Sequence, residues 1–238
     1  MTDAETPTPS DALAQEHSLR QWSDAIAQAT PAPGGGSAAA IAASLAGAVL
    51  VMCLGLTVGR KRFANVEAEF TKLKEEADEI RENLILLAEE DVVAYSSVIE
   101  ARALPHSSPD ESSLRLINLN NALLGAADVQ LEVLRLCRNL AATSRRVFEA
   151  GNPSVRADAA AAIFLAVGAG RGAQYNVEAN LAGLGWGTEF GLAEAVADGG
   201  VRPERVDATL NQAAQLMLEL GQEERQLMAQ LSRGLRPS

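Results

Sequence analysis

Aromatic residues, histidine and cysteine are all scarce in this chain. Of its 238 residues only 4% are aromatic, two are histidine and two are cysteine. So few aromatic residues beside abundant alanine and leucine favour helices over sheets. Cys53 and Cys137 lie far apart in apolar stretches and lack the close spacing of metal ligands. We therefore predict two buried thiols and no His/Cys metal site.

Positive charge is also in deficit, because 20 Lys and Arg residues face 31 Asp and Glu residues, for a net charge of −11. Proteins that bind nucleic acid non-specifically draw most of their affinity from cationic contacts to phosphates. The charge balance argues against a nucleic-acid partner, although a local cationic cluster can still bind an anionic ligand. Residues 1–17 are polar and acidic and lack the features of a secretory signal. We predict a flexible tail there, a single domain over 18–238 and a cytoplasmic location.

Helical periodicity covers most of the chain, and no segment shows the alternation of a strand. The predicted helices run from Ser18 to near Thr30, from an N-cap at Ser37 to Val58, from Asn65 to Ala103, from Ser108 to the break at Gly151, from about Ser154 onward, and from Pro203 to near Leu231. Residues 185–203 are rich in glycine and predict a loop with one helical turn at Leu192–Ala197. Together the segments predict an all-α fold, an antiparallel bundle of about five to six long helices.

The second predicted helix has no charged residue between Ala38 and Val58, a length sufficient for a membrane span. Alanine and glycine dominate it, however, and such small residues suit a buried central helix with closely packed neighbours. We predict a buried Ala-rich helix and no membrane partner, with a single-span membrane protein as the alternative. So long an uncharged surface needs more cover than one thin bundle offers, which predicts a homodimer or a larger even-numbered assembly.

The third predicted helix carries the most informative polar residue. Its apolar residues recur in alternating steps of four and three, the rhythm of a bundle seam. The seam comprises Val66, Phe70, Leu73, Ala77, Ile80, Leu84 and Leu87, and continues through position 91 to Ala94 and Val98. Position 91 is aspartate, and burying an unpaired carboxylate is costly. Asp91 is therefore our candidate catalytic residue; the alternative is a solvated acidic turn on a seam that drifts off the core.

Other polar positions are candidates for substrate binding. They are Gly34, Gly35, Gly36 and Ser37, the basic cluster Arg60, Lys61 and Arg62, and the single residues Asp128, Asp158, Asn176 and Asn180. The glycines allow close approach of a ligand to a helix N-terminus, or else form a turn with an N-cap. The basic cluster binds an anion or merely ends a helix. Asp128 can instead pair with Arg135 or Arg138, and Asp158 can stabilise the start of its helix.

Several of these positions fall within stretches that carry a family resemblance. The stretches are TPAPGGGS at 30–37, LTVGRKRF at 56–63, DVVAY at 91–95, ADV at 127–129 leading to Cys137, Gly151-Asn152 leading to Asp158, and Asn176 with Asn180. Across roughly residues 18–184 they resemble the family of formiminotetrahydrofolate cyclodeaminase and methenyltetrahydrofolate cyclohydrolase. The first two stretches are the specific ones.

The resemblance implies an all-helical homodimeric enzyme that acts on a tetrahydrofolate derivative without a tightly bound cofactor. It places the family's proposed catalytic aspartate on Asp91, which the seam had singled out independently. It also implies that the Gly34–Ser37 backbone holds the pterin or the tetrahedral oxygen, that Asn176 or Asn180 binds the pterin edge, and that Arg60–Arg62 meets the glutamate carboxylates.

Three departures from the family pattern leave the one-carbon substrate open between methenyl and formimino. Ala157 stands where serine is usual, Gln130 stands where proline is frequent, and the segment 185–203 is longer. A non-enzymatic helical scaffold is the alternative function. Asp158 and Asn176 are also about 27 Å apart along one helix, since each residue rises 1.5 Å. They therefore bind opposite ends of a long ligand, or a dimer partner supplies one of them.

Overall fold

The computed structural model describes residues 18–182, Leu184 and residues 203–234. Its α-helices are α1 (Leu19–Ile26), α2 (Gly35–Gly55), α3 (Glu67–Ala103), α4 (Pro109–Ala150), α5 (Arg156–Ala182) and α6 (Pro203–Gly234), with short 3-10 helices at Lys61–Phe63 and Pro153–Val155. No strand occurs among the described residues, and the predicted all-α fold is confirmed. The predicted tail at 1–17 and the predicted turn at Leu192–Ala197 lie outside the described residues.

Helices α2 to α5 form a four-helix bundle. Helix α2 packs against α3 and α5, and α4 packs against the same two helices. Ser37 and Ser44 of α2 contact Asp91 and Arg81 of α3 respectively, so residue numbers rise along one helix as they fall along the other. This order of contacts makes α2 and α3 antiparallel, as expected of an up-and-down bundle.

Helix α6 lies along α4 and α5, outside the four-helix bundle. Ion pairs join Asp128 to Arg205 at 2.5 Å and Arg138 to Glu219 at 2.7 Å. Residue numbers rise together in these pairs, so α6 runs parallel to α4. Apolar residues of α6 pack against the bundle as well. Val206, Ala213, Leu220 and Leu227 are buried in the same core as the apolar residues of α2 to α5.

Serine caps begin two helices at the predicted positions. Ser18 and Ser108 each accept a hydrogen bond from the backbone N–H three residues later, and the Gln21 or Glu111 side chain there bonds back to the cap. These reciprocal bonds are capping boxes, which satisfy N–H groups that a helix start leaves unpaired. Helix α1 ends at Ile26, somewhat before its predicted limit.

The predicted N-cap at Ser37 was wrong. Gly34 occupies the cap position in an extended conformation, and α2 begins at Gly35. Ser37 is consequently the third residue of the helix, where its hydroxyl is turned to a neighbouring helix rather than to its own backbone.

Helix α2 is buried among its neighbours, as its small residues predicted. Twelve of its 21 residues are buried. The Ser44 hydroxyl donates to the Arg81 carbonyl at 3.0 Å, and a Cβ on Gly47 would lie 3.1 Å from the Cβ of Arg81. Small residues therefore bring the backbones of α2 and α3 close together. Among the described helices, α2 alone is long and apolar enough to cross a membrane. Of its most apolar 18-residue stretch, 56% is buried within the protein.

The seam of α3 faces the core along its whole length. Six of its ten positions are buried and four are half-buried; the half-buried positions are Leu73, Ile80, Asp91 and Ala94. The seam therefore does not drift into solvent, and the alternative of a fully solvated acidic turn at Asp91 was wrong.

Candidate functional site

Asp91 lies at one end of the bundle, where α2, α3 and α4 meet. Its Oδ2 accepts a hydrogen bond from Oγ of Ser37 at 2.8 Å, and its Oδ1 accepts one from Nε2 of Gln130 at 2.7 Å. Ser37 and Gln130 are fully buried, whereas Asp91 is half-buried. Two neutral donors thus fix the orientation of a carboxylate that remains partly accessible. Each oxygen keeps a second lone pair with which to accept a proton.

Gly36 makes room for this carboxylate. A Cβ on Gly36 would lie 2.4 Å from Oδ1 and 2.7 Å from Oδ2 of Asp91, and 2.5 Å from Nε2 of Gln130. Real Cβ atoms do not approach other atoms so closely, so any larger residue at 36 displaces the pair. Gly36 therefore leaves the space that the Asp91 carboxylate occupies. The glycine run had been singled out only for direct contact with a ligand.

Gln130 was missed as a site residue, although a signal for it exists in the sequence. The positions 123, 127, 130, 134, 137, 141, 144 and 148 of α4 also advance by steps of four and three, and all are buried except half-buried Phe148. Gln130 and Ser144 are the two polar residues on this seam. The rhythm that singled out Asp91 on α3 would have singled out Gln130 on α4.

The first turn of α2 lies beside Asp91 because Ser37 and Gly36 belong to that turn. The N–H of Ala38 is the first to bond back along the helix, to the carbonyl of Gly34 at 3.0 Å. The N–H groups of Gly35, Gly36 and Ser37 precede this bond and have no acceptor within the helix. Together with the positive end of the helix dipole, they form a donor surface suited to an oxygen that gains negative charge.

Asn176 of α5 lies at the same end of the bundle. Its Nδ2 would be 3.7 Å from a Cβ on Gly35 and donates to the Gly172 carbonyl at 2.9 Å. Asn180, one turn farther along α5, is half-buried as well. The structure thus brings together Asp91, the first turn of α2 and Asn176, with Asn180 one turn away.

Asp128 faces α6 rather than Asp91. It pairs with Arg205 at 2.5 Å, and its side chain is 43% exposed. The predicted alternative was thus right about the kind of contact and wrong about the partner. Arg135 bonds Glu132 and Arg138 bonds Glu219 instead. Residues two apart point to different sides of a helix, so Asp128 and Gln130 serve different interfaces.

The basic cluster and Asp158 lie at the opposite end of the bundle. Arg60, Lys61 and Arg62 are exposed around the 3-10 helix Lys61–Phe63, and the Arg62 guanidinium lies 5.7 Å from the centre of the Phe63 ring. Helix α2 ends earlier, at Gly55, and its last turn contains no basic residue. The alternative that the cluster ends this helix was therefore wrong.

The position of Cys53 on α2 gives the distance between the two ends of the bundle. Burial is the main cause that raises the pKa of the Cys53 thiol, and the second is the carboxylate of Asp158, which is exposed in the first turn of α5. Asp158 therefore lies near Cys53. Cys53 and Ser37 are 16 residues apart on α2, about 24 Å along the helix. Asp91 and Asn176 therefore belong to one end, and Asp158 with the basic cluster to the other.

Both cysteines are buried free thiols, as predicted. Burial raises the pKa of Cys137 to about 12, and burial with the nearby Asp158 carboxylate raises that of Cys53 to about 11. Thiols that stay protonated at neutral pH are poor nucleophiles. Within the described part of the chain, no group of three or more His, Cys, Asp or Glu residues is arranged to hold a metal ion.

Comparison with known proteins assigns this arrangement to a family. The family model described as formiminotransferase-cyclodeaminase matches residues 18–185. The chain belongs to this family. The match covers every residue so far placed at either end of the bundle except Arg205, and it includes the stretches that carried the resemblance.

Three relatives illustrate the range of the formiminotransferase-cyclodeaminase family. Methenyltetrahydrofolate cyclohydrolase of Methylorubrum extorquens is 34% identical over 172 residues, which span 72% of this chain and 83% of that protein. Formimidoyltransferase-cyclodeaminase of Gallus gallus is 29% identical over 157 residues, 66% of this chain but only 29% of that longer protein. The crystal structure of formiminotetrahydrofolate cyclodeaminase from Thermotoga maritima superimposes with a TM-score of 0.67 at 25% identity, covering 89% of this chain and 98% of that one.

Proposed function

We propose that this folate one-carbon enzyme hydrolyses methenyltetrahydrofolate. The observation that carries the proposal is the half-buried Asp91 carboxylate, held on both oxygens beside the N-terminus of α2. The cyclohydrolase of Methylorubrum extorquens supports this reaction, because it aligns over most of both chains. Gly36 leaves space for the Asp91 carboxylate, which any larger residue would fill. A non-enzymatic scaffold with the same fold would have no need of this space.

In this reaction water attacks the carbon that bridges N5 and N10 of the methenyl cation. Asp91 accepts one proton of that water as the new C–O bond forms, which leaves a neutral tetrahedral intermediate. Asp91 then returns the proton to N5 as the C–N5 bond breaks. The hydroxyl proton goes to solvent and the product is 10-formyltetrahydrofolate. The N–H groups of Gly35 to Ser37 bond the oxygen of the tetrahedral intermediate and stabilise the negative charge that develops on it as the hydroxyl proton leaves.

Formiminotetrahydrofolate cyclodeamination is the second candidate, favoured by the structural likeness to the Thermotoga maritima enzyme. There N10 attacks the formimino carbon and loses its proton to Asp91. The same proton then passes to the amino group, which leaves as ammonia, and the ring closes to the methenyl cation. Both reactions use one carboxylate and one tetrahedral carbon, so this arrangement of Asp91 suits either.

An assay of both substrates tests the proposal, because methenyltetrahydrofolate absorbs light and its precursor and product are distinguishable from it. We expect absorbance to fall with methenyltetrahydrofolate in proportion to enzyme. Ammonia release from the formimino substrate, measured separately, should show a lower kcat/KM. The opposite ranking would make the protein a cyclodeaminase, and turnover of neither substrate would refute the proposal.

We also propose a homodimer in which α2 and α5 form the interface. Leu45 and Met52 of α2 are exposed, as is Leu56 directly after the helix, and the adjacent α5 carries exposed Phe164 and Leu165. Exposed apolar side chains on two helices that pack together suggest a protein contact there. A two-fold axis across the middle of α2 would place the Asp91 end of one protomer beside the basic end of its partner. Such a dimer resolves the separation of about 24 Å along α2.

The dimer predicts twice the chain mass by light scattering at micromolar concentration. Replacing Leu45 and Leu165 together with glutamate should shift the protein to monomer, because each exposed leucine would become a charge inside the interface. The matched control places glutamate at Leu218, an exposed leucine of α6 outside this face. A wild-type protein that stays monomeric at this concentration rules out the proposed dimer.

The basic cluster is proposed to bind the glutamate tail of the folate. The chain is acidic overall, with a net charge of −11, so attraction to a polyanion must come from a local cluster. Arg60 and Lys61 have no ion pair with any described residue, and their exposed charges remain available. An exposed charge contact is worth about 1 kcal/mol or less, and salt weakens it.

Replacing Lys61 and Arg62 together with glutamine should therefore raise KM about tenfold for a polyglutamylated substrate, and less for the monoglutamate. The value of kcat should change little, because the lost contact is the same in the ground state and the transition state. Lys72 and Lys74 of α3, replaced likewise, provide the control. An equal change in KM for both substrates would place the tail elsewhere.

Finally, we propose that the enzyme works in the cytoplasm, off the membrane and without a tightly bound cofactor. The burial of α2 supports the absence of a membrane span. Neither proposed reaction transfers electrons, and the single carboxylate of Asp91 suffices for the proton transfers. Fractionation without detergent tests the location.

A further inference from the structure

Gln130 is held on one side only. Its Nε2 donates to Oδ1 of Asp91 at 2.7 Å, while its Oε1 is buried with no hydrogen-bond partner among the described residues. A buried amide oxygen without a donor is unfavourable, and most native amides avoid this state. The side chain is fully buried, so solvent does not compensate. The stability of the fold alone therefore does not explain an amide at this position.

The protonation state of Asp91 decides which amide atom should face it. A charged carboxylate only accepts hydrogen bonds, so Nε2 must face Oδ1, as observed. Once Oδ1 carries the proton taken from water, it donates and requires an acceptor. Turning the amide by half a turn brings Oε1 into that place. The turn exchanges one unpaired amide atom for the other, Nε2 for Oε1, and breaks no further bond, because nothing described holds Oε1.

We infer that Gln130 is a positioning residue whose amide turns with each protonation of Asp91, so that the carboxyl group keeps its orientation in both states. The inference rests on the proposed function, since it needs Asp91 to gain and lose a proton in every turnover. Ser37 behaves alike at Oδ2, because a hydroxyl both donates and accepts. Both partners are neutral, so neither favours only the charged state of Asp91.

The test is Gln130→Met, which keeps the length of the side chain and removes both amide atoms. We expect kcat for methenyltetrahydrofolate to fall on the order of tenfold to a hundredfold, because a poorly oriented base loses much of its effect. KM should stay within about threefold, since the amide is buried away from substrate. The melting temperature should change little, because the lost bond to the half-buried Asp91 carboxylate is offset by the removal of a half-paired buried amide.

Asn120→Leu is the matched control. Asn120 lies on the same helix and is 2% exposed, and its buried Oδ1 accepts no hydrogen bond from any described residue. It lies ten residues from Gln130, about 15 Å along the helix. This variant should keep or raise the melting temperature, because it removes an unpaired buried amide oxygen, and should leave kcat unchanged. Gln130→Leu repeats the test with a second apolar side chain if the methionine variant does not fold.

The outcomes separate the inference from the function on which it rests. A wild-type kcat in the folded Gln130 variants overturns the inference, and so does a loss of activity that only follows a loss of folded protein. Absence of turnover in the wild-type protein with either folate would instead overturn the proposed function. A lower kcat with KM and melting temperature kept supports both.

Discussion

The Asp91→Asn variant should fold normally and lose at least about 100-fold in kcat, the contribution typical of a positioned general base. The amide of asparagine has the shape of the carboxylate and can bond both Ser37 and Gln130, since either partner donates or accepts. It cannot take a proton from water or return one to N5. The absorbance assay with methenyltetrahydrofolate measures the loss, and thermal unfolding checks the fold.

Asp78→Asn is the matched control for this variant. Asp78 lies on the same helix and pairs with Arg81 at 2.9 Å on the surface, far from the proposed site. Losing an exposed pair costs about 1 kcal/mol or less, so this variant should keep wild-type kcat. If folded Asp91→Asn turned over like the wild type, Asp91 would have no catalytic role.

Much of the bundle was predictable because apolar residues at helical spacing in the sequence form the buried face of a helix. The steps of four and three on α3 predicted both the helix and the burial of its face, and they located Asp91. Residue spacing also predicted that Asp158 and Asn176 are too far apart for one small site. These inferences need only the geometry of a single helix.

The partners of Asp91 were not predictable in the same way. The residue of α4 that lies beside Asp91 depends on the loop lengths and on the axial offset between the two helices. The periodicity of a single helix gives neither quantity. The periodicity of α4 marks Gln130 as a polar seam residue, but it does not say which residue of α3 it meets, and Gln130 was noted only as a departure from the family pattern. Asp128, two positions away, was chosen although it faces α6 and Arg205.

Ser37 illustrates a local rule overridden by tertiary structure. Serine after a glycine run is a plausible N-cap by its own chemistry. In the folded chain the cap position falls to Gly34, and the Ser37 hydroxyl bonds a carboxylate 54 residues away. A cap at Ser37, three residues farther along, would turn that hydroxyl toward its own helix and away from α3. The three glycines fix the start of the helix, and with it the site.

Gly36→Ala should therefore abolish most activity while leaving the protein folded. The new methyl group would lie 2.4 Å from Oδ1 of Asp91 and 2.5 Å from Nε2 of Gln130, so the carboxylate and the amide must both move. A displacement of about 1 Å in a catalytic group can cost about 100-fold in kcat. The change in stability should be small, because overpacking costs roughly 1–3 kcal/mol while alanine in place of helical glycine returns about 1 kcal/mol.

Gly125→Ala separates this clash from the general effect of alanine on a helix. Gly125 lies within α4, and a Cβ there would meet no atom of another described segment within 4 Å. This variant should gain up to about 1 kcal/mol of stability and keep wild-type kcat. The informative quantity is the activity of folded protein, compared between the two variants in the same absorbance assay. Equal activity would mean that the carboxylate need not lie against α2, and that the first turn of the helix and Asp91 do not act on one carbon.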